Sequence, residues 1–212
     1  MTVGEDETTE LVNVAHKLAQ IEQLHADTIR LNRENTLEAA SDSFRTYHFC
    51  EVIIDKTVEM CLAILTKWML ISDEPITIEF NSPGGSIFAG FALYDFIAEA
   101  VAKGQYIETT AVGYAASMAG VALQAGTVRT IRPNAFFMAH EAKSVMSGSM
   151  SGFRDEVELL ERLQERCIHI LTSRTGRKTT AAKLKSKTLR KAWWLDASET
   201  LAAGFVDRIV VP

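Results

Sequence analysis

Three short stretches hold the side chains and main-chain groups that could act on a carbonyl. At 80–86, FNSPGGS follows an apolar alternating run and precedes a helical one, and its paired glycines let a ligand approach the backbone with N–H groups exposed. The same turn chemistry suits a phosphate or a plain tight turn. At 113–120, GYAASMAG sets Ser117 among small residues at a strand-to-helix turn, where the first amides and the positive end of a helix favour a developing oxyanion. A serine there is also an ordinary helix N-cap. At 135–140, AFFMAH ends on His140, at the strand terminus where an α/β sheet displays functional groups. A lone histidine is more commonly structural. A hydroxyl, an imidazole and main-chain donors are the parts list of nucleophilic acyl transfer.

The elements that must position them follow from hydrophobic periodicity. Strands are expected at YHFCEVII (47–54), PITIEF (75–80), YIETTAVG (106–113) and VDRIVV (206–211), with paired strands in VRTIRPNAFFMAH (128–140) broken at Pro133. Helices are expected at 55–70 and 87–102, as a short turn from 117 to Gly126, at about 152–175 with Val157, Leu160, Leu163, Cys167, Ile170 and Leu171 on one side, and at ASETLAAG. Such alternation specifies an α/β core. Before it, Leu11, Val14, Leu18, Ile21, Leu24 and Leu31 recur at near-heptad spacing. The reading is a helical arm and linker over 1–43 and a globular domain over 44–212, the two joined through TLEAASDS.

With 212 residues, 47% hydrophobic and 23% charged, the chain can bury a full core. A net charge of −5 gives no reason to expect nucleic acid, and the lysine-rich stretch at 178–191 lacks interleaved aromatics and reads as a solvated helix face. Cys50, Cys61 and Cys167 form neither a disulfide framework nor a metal motif, so no metal and no cofactor are expected. No apolar run approaches the ~18 residues of a membrane span, and the acidic N-terminus lacks a signal-peptide layout. A soluble, cytoplasmic protein is the expectation.

Taken together, NSPGGS, GYAASMAG and RPNAFFMAH resemble, in order and spacing, the signature of the ClpP family of serine peptidases. The resemblance runs from about Tyr47 through the long helix and resumes at WWLDASETLAAGFVDRIV. It implies a ClpP/crotonase-type fold of stacked strand-helix units, with the helix at about 152–175 as a protruding handle. It implies Ser117 as nucleophile, His140 as general base, and the amides of Gly85 and Met118 as oxyanion hole. A peptide or unfolded-protein substrate is then expected as an added strand beside the segment after SPGG, involving Gly84, Ser86, Ile87 and Phe88. A homo-oligomeric ring, single or stacked, and an AAA+ unfoldase partner are also implied.

Three positions depart from the family pattern. The third catalytic residue, an aspartate, falls on Ala192; Asp196 is a weak substitute, because DASE reads as a capping box, and Glu141 is poorer still, because it points away from His140 along a strand. The glycine-rich strand after the histidine becomes EAKSVMSGSMSG, with Lys143, Ser144 and Val145 at the early glycine positions. The arm before Phe44 lies outside the resemblance and suits a phage assembly partner or neighbouring subunits. Beside a serine endopeptidase stand two alternatives: a catalytically weak or inactive ring subunit, and a crotonase-like acyl-CoA enzyme, which needs no serine–histidine pair.

Overall fold

The structure is a computed structural model, and it describes residues 44–143 and 149–210 together with Gln20 and Gln23. The proposed arm helix and the segment 144–148 of the strand after His140 lie outside the described residues. The chain divides into two compact units, Met1–Phe44 and Arg45–Pro212. The sheet and the helices packed on it belong to the second.

Strand β1 (Thr46–Phe49) leads into helix α1 (Asp55–Ile71), then β2 (Ile76–Ser82) and α2 (Ile87–Ala102). Strand β3 (Ile107–Ala116) runs directly into α3 (Met118–Ala122), which tightens to a 3₁₀ turn at Leu123–Ala125. Strands β4 (Val128–Ile131) and β5 (Phe136–Ala139) precede the long helix α4 (Met150–Ser173), α5 (Ala181–Thr188), β6 (Trp193–Leu195), α6 (Ala197–Ala203) and β7 (Arg208–Ile209).

Local sequence explains these elements. Val58, Cys61, Leu65 and Trp68 fall at helical spacing and are the buried stripe of α1. In β2, Ile76, Ile78, Phe80 and Ser82 are buried at period two. Ser86 accepts a hydrogen bond from the Ala89 amide and so caps α2. Strands β1, β2, β3, β4 and β7 lie side by side in that order, all paired in parallel, while β5 pairs in parallel with β3 and antiparallel with β6. The result is a mixed α/β fold whose mostly parallel sheet has an apolar core rich in Ile, Phe and Ala.

The expected pairing within VRTIRPNAFFMAH is corrected. Strands β4 and β5 do not pair with each other; both add to the same strand, β4 along Glu108–Ala111 and β5 along Tyr114–Ala116. The chain kinks between them in a turn closed by the Ala135 amide on the Arg132 carbonyl, so it continues along β3 rather than folding back. Strand β3 bends at the same level, at Gly113, where φ is +74° and a Cβ would come within 2.5 Å of the Asn81 side chain. Only glycine fits that corner. The periodicity also gave no sign of β6, which is three residues long.

A buried polar network closes the far side of the core. The Arg129 guanidinium, from β4, donates to Gln124 Oε1 at 2.8 Å, to the Gly204 and Arg174 carbonyls, and to both carboxylate oxygens of Asp207. Gln124 in turn donates to the carbonyls of Gly120 and Phe205. One side chain thereby joins α3, the end of α4 and the C-terminal strand.

Candidate active site

Ser117 is the residue between β3 and α3, at φ 54° and ψ −122°. A non-glycine residue in that region costs about 1–3 kcal/mol, and such strain concentrates where geometry serves a function. A strand that passes straight into a helix with a serine at the corner projects the hydroxyl from the sheet end. Despite its place before a helix, the Ser117 side chain makes no capping hydrogen bond. Its oxygen instead lies 2.8 Å from His140 Nε2.

His140 follows the last residue of β5, and the Ser117 amide donates to the Met138 carbonyl at 2.8 Å. The strand that delivers the imidazole is thus bonded to the residue that carries the hydroxyl. Burial pushes the His140 pKa below the ordinary histidine value; the Glu141 main chain opposes that shift and the charge of Lys143 adds to it. The net shift favours the neutral ring. With Nε2 accepting the serine proton, the ring proton sits on Nδ1. That atom is buried and has no hydrogen-bond partner among the described residues.

The glycine turn packs against this corner from the opposite side. A Cβ on Gly84 would lie 2.6 Å from the Ala116 carbonyl oxygen and 2.7 Å from the Met118 nitrogen, so the turn touches the serine loop backbone to backbone. Gly84 and Gly85 have φ of +84° and +154°, and a Cβ on Gly85 would overlap the Ile53 carbonyl. Ile53 runs alongside as a single parallel bridge, donating its amide to the Gly84 carbonyl and accepting from the Ser86 amide, both at 2.8 Å. In a parallel bridge the groups of Gly85 itself point to the other edge. Met118 is the first residue of α3, where amides have no intrahelical acceptor.

Four residues expected to receive substrate are placed differently from one another. Gly84 and Ser86 are bonded to Ile53 through their backbone, whereas Ile87 and Phe88 are the first residues of α2. Helical dihedrals cannot extend a strand ladder. Ile87 lines a cavity and Phe88 is 61% exposed.

That cavity, ≈ 40 Å³, opens beside Ser117 and His140 and is walled by Met118, Val121, Cys167, Ile168 and Leu171. It exceeds the ~10–15 Å³ that one water needs, so it can take a small apolar side chain. The thiols of Cys61 and Cys167 are pushed up by burial, the latter to about 11, and neither is a thiolate at neutral pH. Sequence reasoning missed Ile53, which acts through its backbone and leaves no side-chain signal, and Leu184 and Thr188 of α5, which close the cavity floor.

The antiparallel register of β5 and β6 ends with Ala139 opposite Trp193, and Ala192 is the exposed residue just before that pair. Asp196 is four residues further along and is engaged as a helix cap, accepting from the Glu199 amide at 2.8 Å while Glu199 answers on the Asp196 amide. Glu141 accepts from the Arg190 amide at 2.9 Å. Among the described residues no group of histidines, cysteines and carboxylates could hold a metal ion, and no helix is long and apolar enough to cross a membrane.

A family model described as Clp protease matches residues 45–212. The chain is 38% identical over 165 residues to the ATP-dependent Clp protease proteolytic subunit 2 of Tropheryma whipplei (strain Twist), covering 75% of this chain and 87% of that protein. It is 34% identical over 156 residues to proteolytic subunit 1 of Leifsonia xyli subsp. xyli, covering 69% and 74%. Proteolytic subunit 1 of Streptomyces coelicolor is 33% identical over 156 residues, covering 69% and 67%.

Proposed function

This chain belongs to the Clp protease family, and from that premise we propose that it is a serine endopeptidase with a two-residue catalytic core, Ser117 and His140. The 2.8 Å contact between their reacting atoms is the observation that supports it most directly. His140 Nε2 takes the Ser117 proton as Oγ attacks the peptide carbonyl. The amides of Gly85 and Met118 receive the negative oxygen. The protonated ring then gives its proton to the leaving amine, and a water, activated by the same nitrogen, releases the acyl group. The substrate is an extended peptide, held by the edge at Gly84–Ser86, with a small apolar side chain in the cavity beneath Met118.

The working form is a homo-oligomeric ring served by an AAA+ unfoldase. The supporting surface is apolar: Met60, Leu70, Ile71, Leu159 and Trp194 are exposed on the single chain. The role proposed for residues 1–43 is contact with neighbouring subunits or a phage assembly partner. A native mass measurement tests the ring directly, since a monomer would exclude it.

Ser117→Ala is expected to abolish cleavage of a fluorogenic peptide and labelling by a fluorophosphonate. Equal cleavage by parent and variant would refute the assignment. A second reading, a catalytically weak or silent ring subunit, is favoured by Ala192 at the position where the family pattern has an aspartate. Loss of the carboxylate from such a triad lowers turnover by roughly 10⁴-fold, or ~5.5 kcal/mol of barrier. A folded oligomer that a fluorophosphonate leaves unlabelled would establish it.

A further inference from the structure

Residues 177–191 carry seven lysines and arginines and no aspartate or glutamate, in a chain whose net charge is −5. All seven cations are exposed. Among the described residues, Lys185 is answered by Glu165 at 2.6 Å, an exposed pair of the kind that holds little energy. Three contacts set this basic segment against the candidate active site. Leu184 and Thr188, one helical turn apart on the buried side of α5, wall the cavity beside Ser117 and His140. Lys187 Nζ lies 5.8 Å from the ring centroid of Trp193, within cation–π reach, and Trp193 pairs with Ala139, the residue before His140. The Arg190 amide donates to Glu141, the residue after His140. We infer that Lys187, Arg190 and Lys191 form a specificity surface for acidic peptides, favouring substrates with aspartate or glutamate within a few residues of the side chain that enters the cavity.

The inference rests on Ser117 and His140 acting on a peptide, and adds which peptide they receive. An extended chain advances about 3.3 Å per residue, so residues two or three places from the one in the cavity pass within reach of long side chains that border it. Lysine and arginine lay their stems along the surface and keep their charged heads in water, where an acid of the substrate meets them without burial. Lys143 adds a cation close enough for its charge to act on the His140 ring. Glu141 is the acid beside these groups, and its carboxylate is engaged with the Arg190 amide. Nucleic acid is the other polyanion such a patch attracts, but 177–191 contains no aromatic side chain on which a base would stack, and the cavity it borders is apolar and small. Several cations acting together raise the capture rate of an opposite charge and lose that effect as salt screens them. The preference therefore belongs to substrate capture, and no bond forms or breaks at these residues.

The test uses the full chain and three fluorogenic peptides that share a small apolar residue at the cleaved bond and are flanked by paired aspartates, asparagines or lysines. At low salt, kcat/KM for the aspartate peptide should exceed that for the asparagine peptide roughly tenfold, with the lysine peptide lowest. The difference should sit in KM and close in about 0.5 M NaCl. Arg190→Gln with Lys191→Gln should remove the preference, and Arg190→Glu with Lys191→Glu should turn it toward the lysine peptide, a gain that misfolding cannot imitate. Arg177→Gln with Lys178→Gln removes the same charge at the other end of the segment, where Lys178 packs at Gly204, and should keep the preference. No preference in the parent, a preference that salt leaves unchanged, or an equal loss in both glutamine variants overturns the inference. So does tight binding of a single-stranded oligonucleotide by a chain whose cleavage ignores peptide charge. Labelling of Ser117 by a fluorophosphonate with charge-blind cleavage overturns it alone, whereas no labelling and no cleavage of any of the three peptides overturns the peptidase reading and this inference with it.

Discussion

Two atoms 2.8 Å apart dominate the residue scale, and His140 Nδ1 has no hydrogen-bond partner among the described residues. Ala192→Asp should raise kcat by up to roughly 10⁴-fold with little change in KM, because the added charge acts on the imidazolium that exists only during the reaction; stopped assays on a peptide substrate measure it. The pH dependence has a definite sign. The base must be neutral, and burial lowers its pKa, so kcat/KM should rise with pH to a plateau through a midpoint below the usual ~6.5. Ala192→Asp should move that midpoint upward, since a carboxylate favours the protonated ring. A midpoint above that of a free histidine in the parent would contradict the desolvated environment.

At the scale of elements, the site is a meeting of turns, and its tolerances are set by backbone. Gly84→Ala forces a Cβ to within 2.6 Å of the Ala116 carbonyl at a φ of +84°. The dihedral alone costs about 1–3 kcal/mol, and relief of the clash must displace either the Met118 amide or Ser117. Loss of labelling beyond the loss of thermal stability is the expected result. By contrast, Asp196→Ala should lower Tm through the cap of α6 while leaving Ser117 as reactive as before, because the carboxylate is occupied by Glu199 and Ser198. A collapse of labelling in that variant would mean it also serves His140. These elements explain what the sequence disclosed. Apolar periodicity located α1, α2 and β2, and the short motifs located Ser117 and His140, because each depends on neighbours within a few residues. The route of β4 and β5 along one strand was hidden, since tertiary pairing, and not composition, decides which edge a strand takes. The helical state of Ile87 and Phe88 was hidden from the substrate argument for the opposite reason: the local helix signal was read, yet a strand role was laid over it.

For the whole molecule, the Arg129 network matters most, because it joins the end of the long helix α4 to the sheet that carries Ser117 and His140. Burial alone would raise the Asp207 pKa, but hydrogen bonds from Arg129 outweigh it and hold the carboxyl below the usual carboxylate range. A depressed carboxylate stabilises the fold above its unfolded pKa of ~3.9 and loses that contribution as pH falls through the folded value. Asp207→Asn should cost about 2 kcal/mol at neutral pH, less than for a fully enclosed pair because Asp207 is 39% exposed. Chemical denaturation at pH 7 and near pH 3 measures both statements, the variant and parent converging at the acid end. The bond from the Ser117 amide to the Met138 carbonyl bears on how such a molecule fails. Since the spacing of hydroxyl and imidazole is written into a strand ladder, competence cannot drain away ahead of melting: reactivity toward a fluorophosphonate and far-ultraviolet ellipticity should vanish along a single sigmoid on heating.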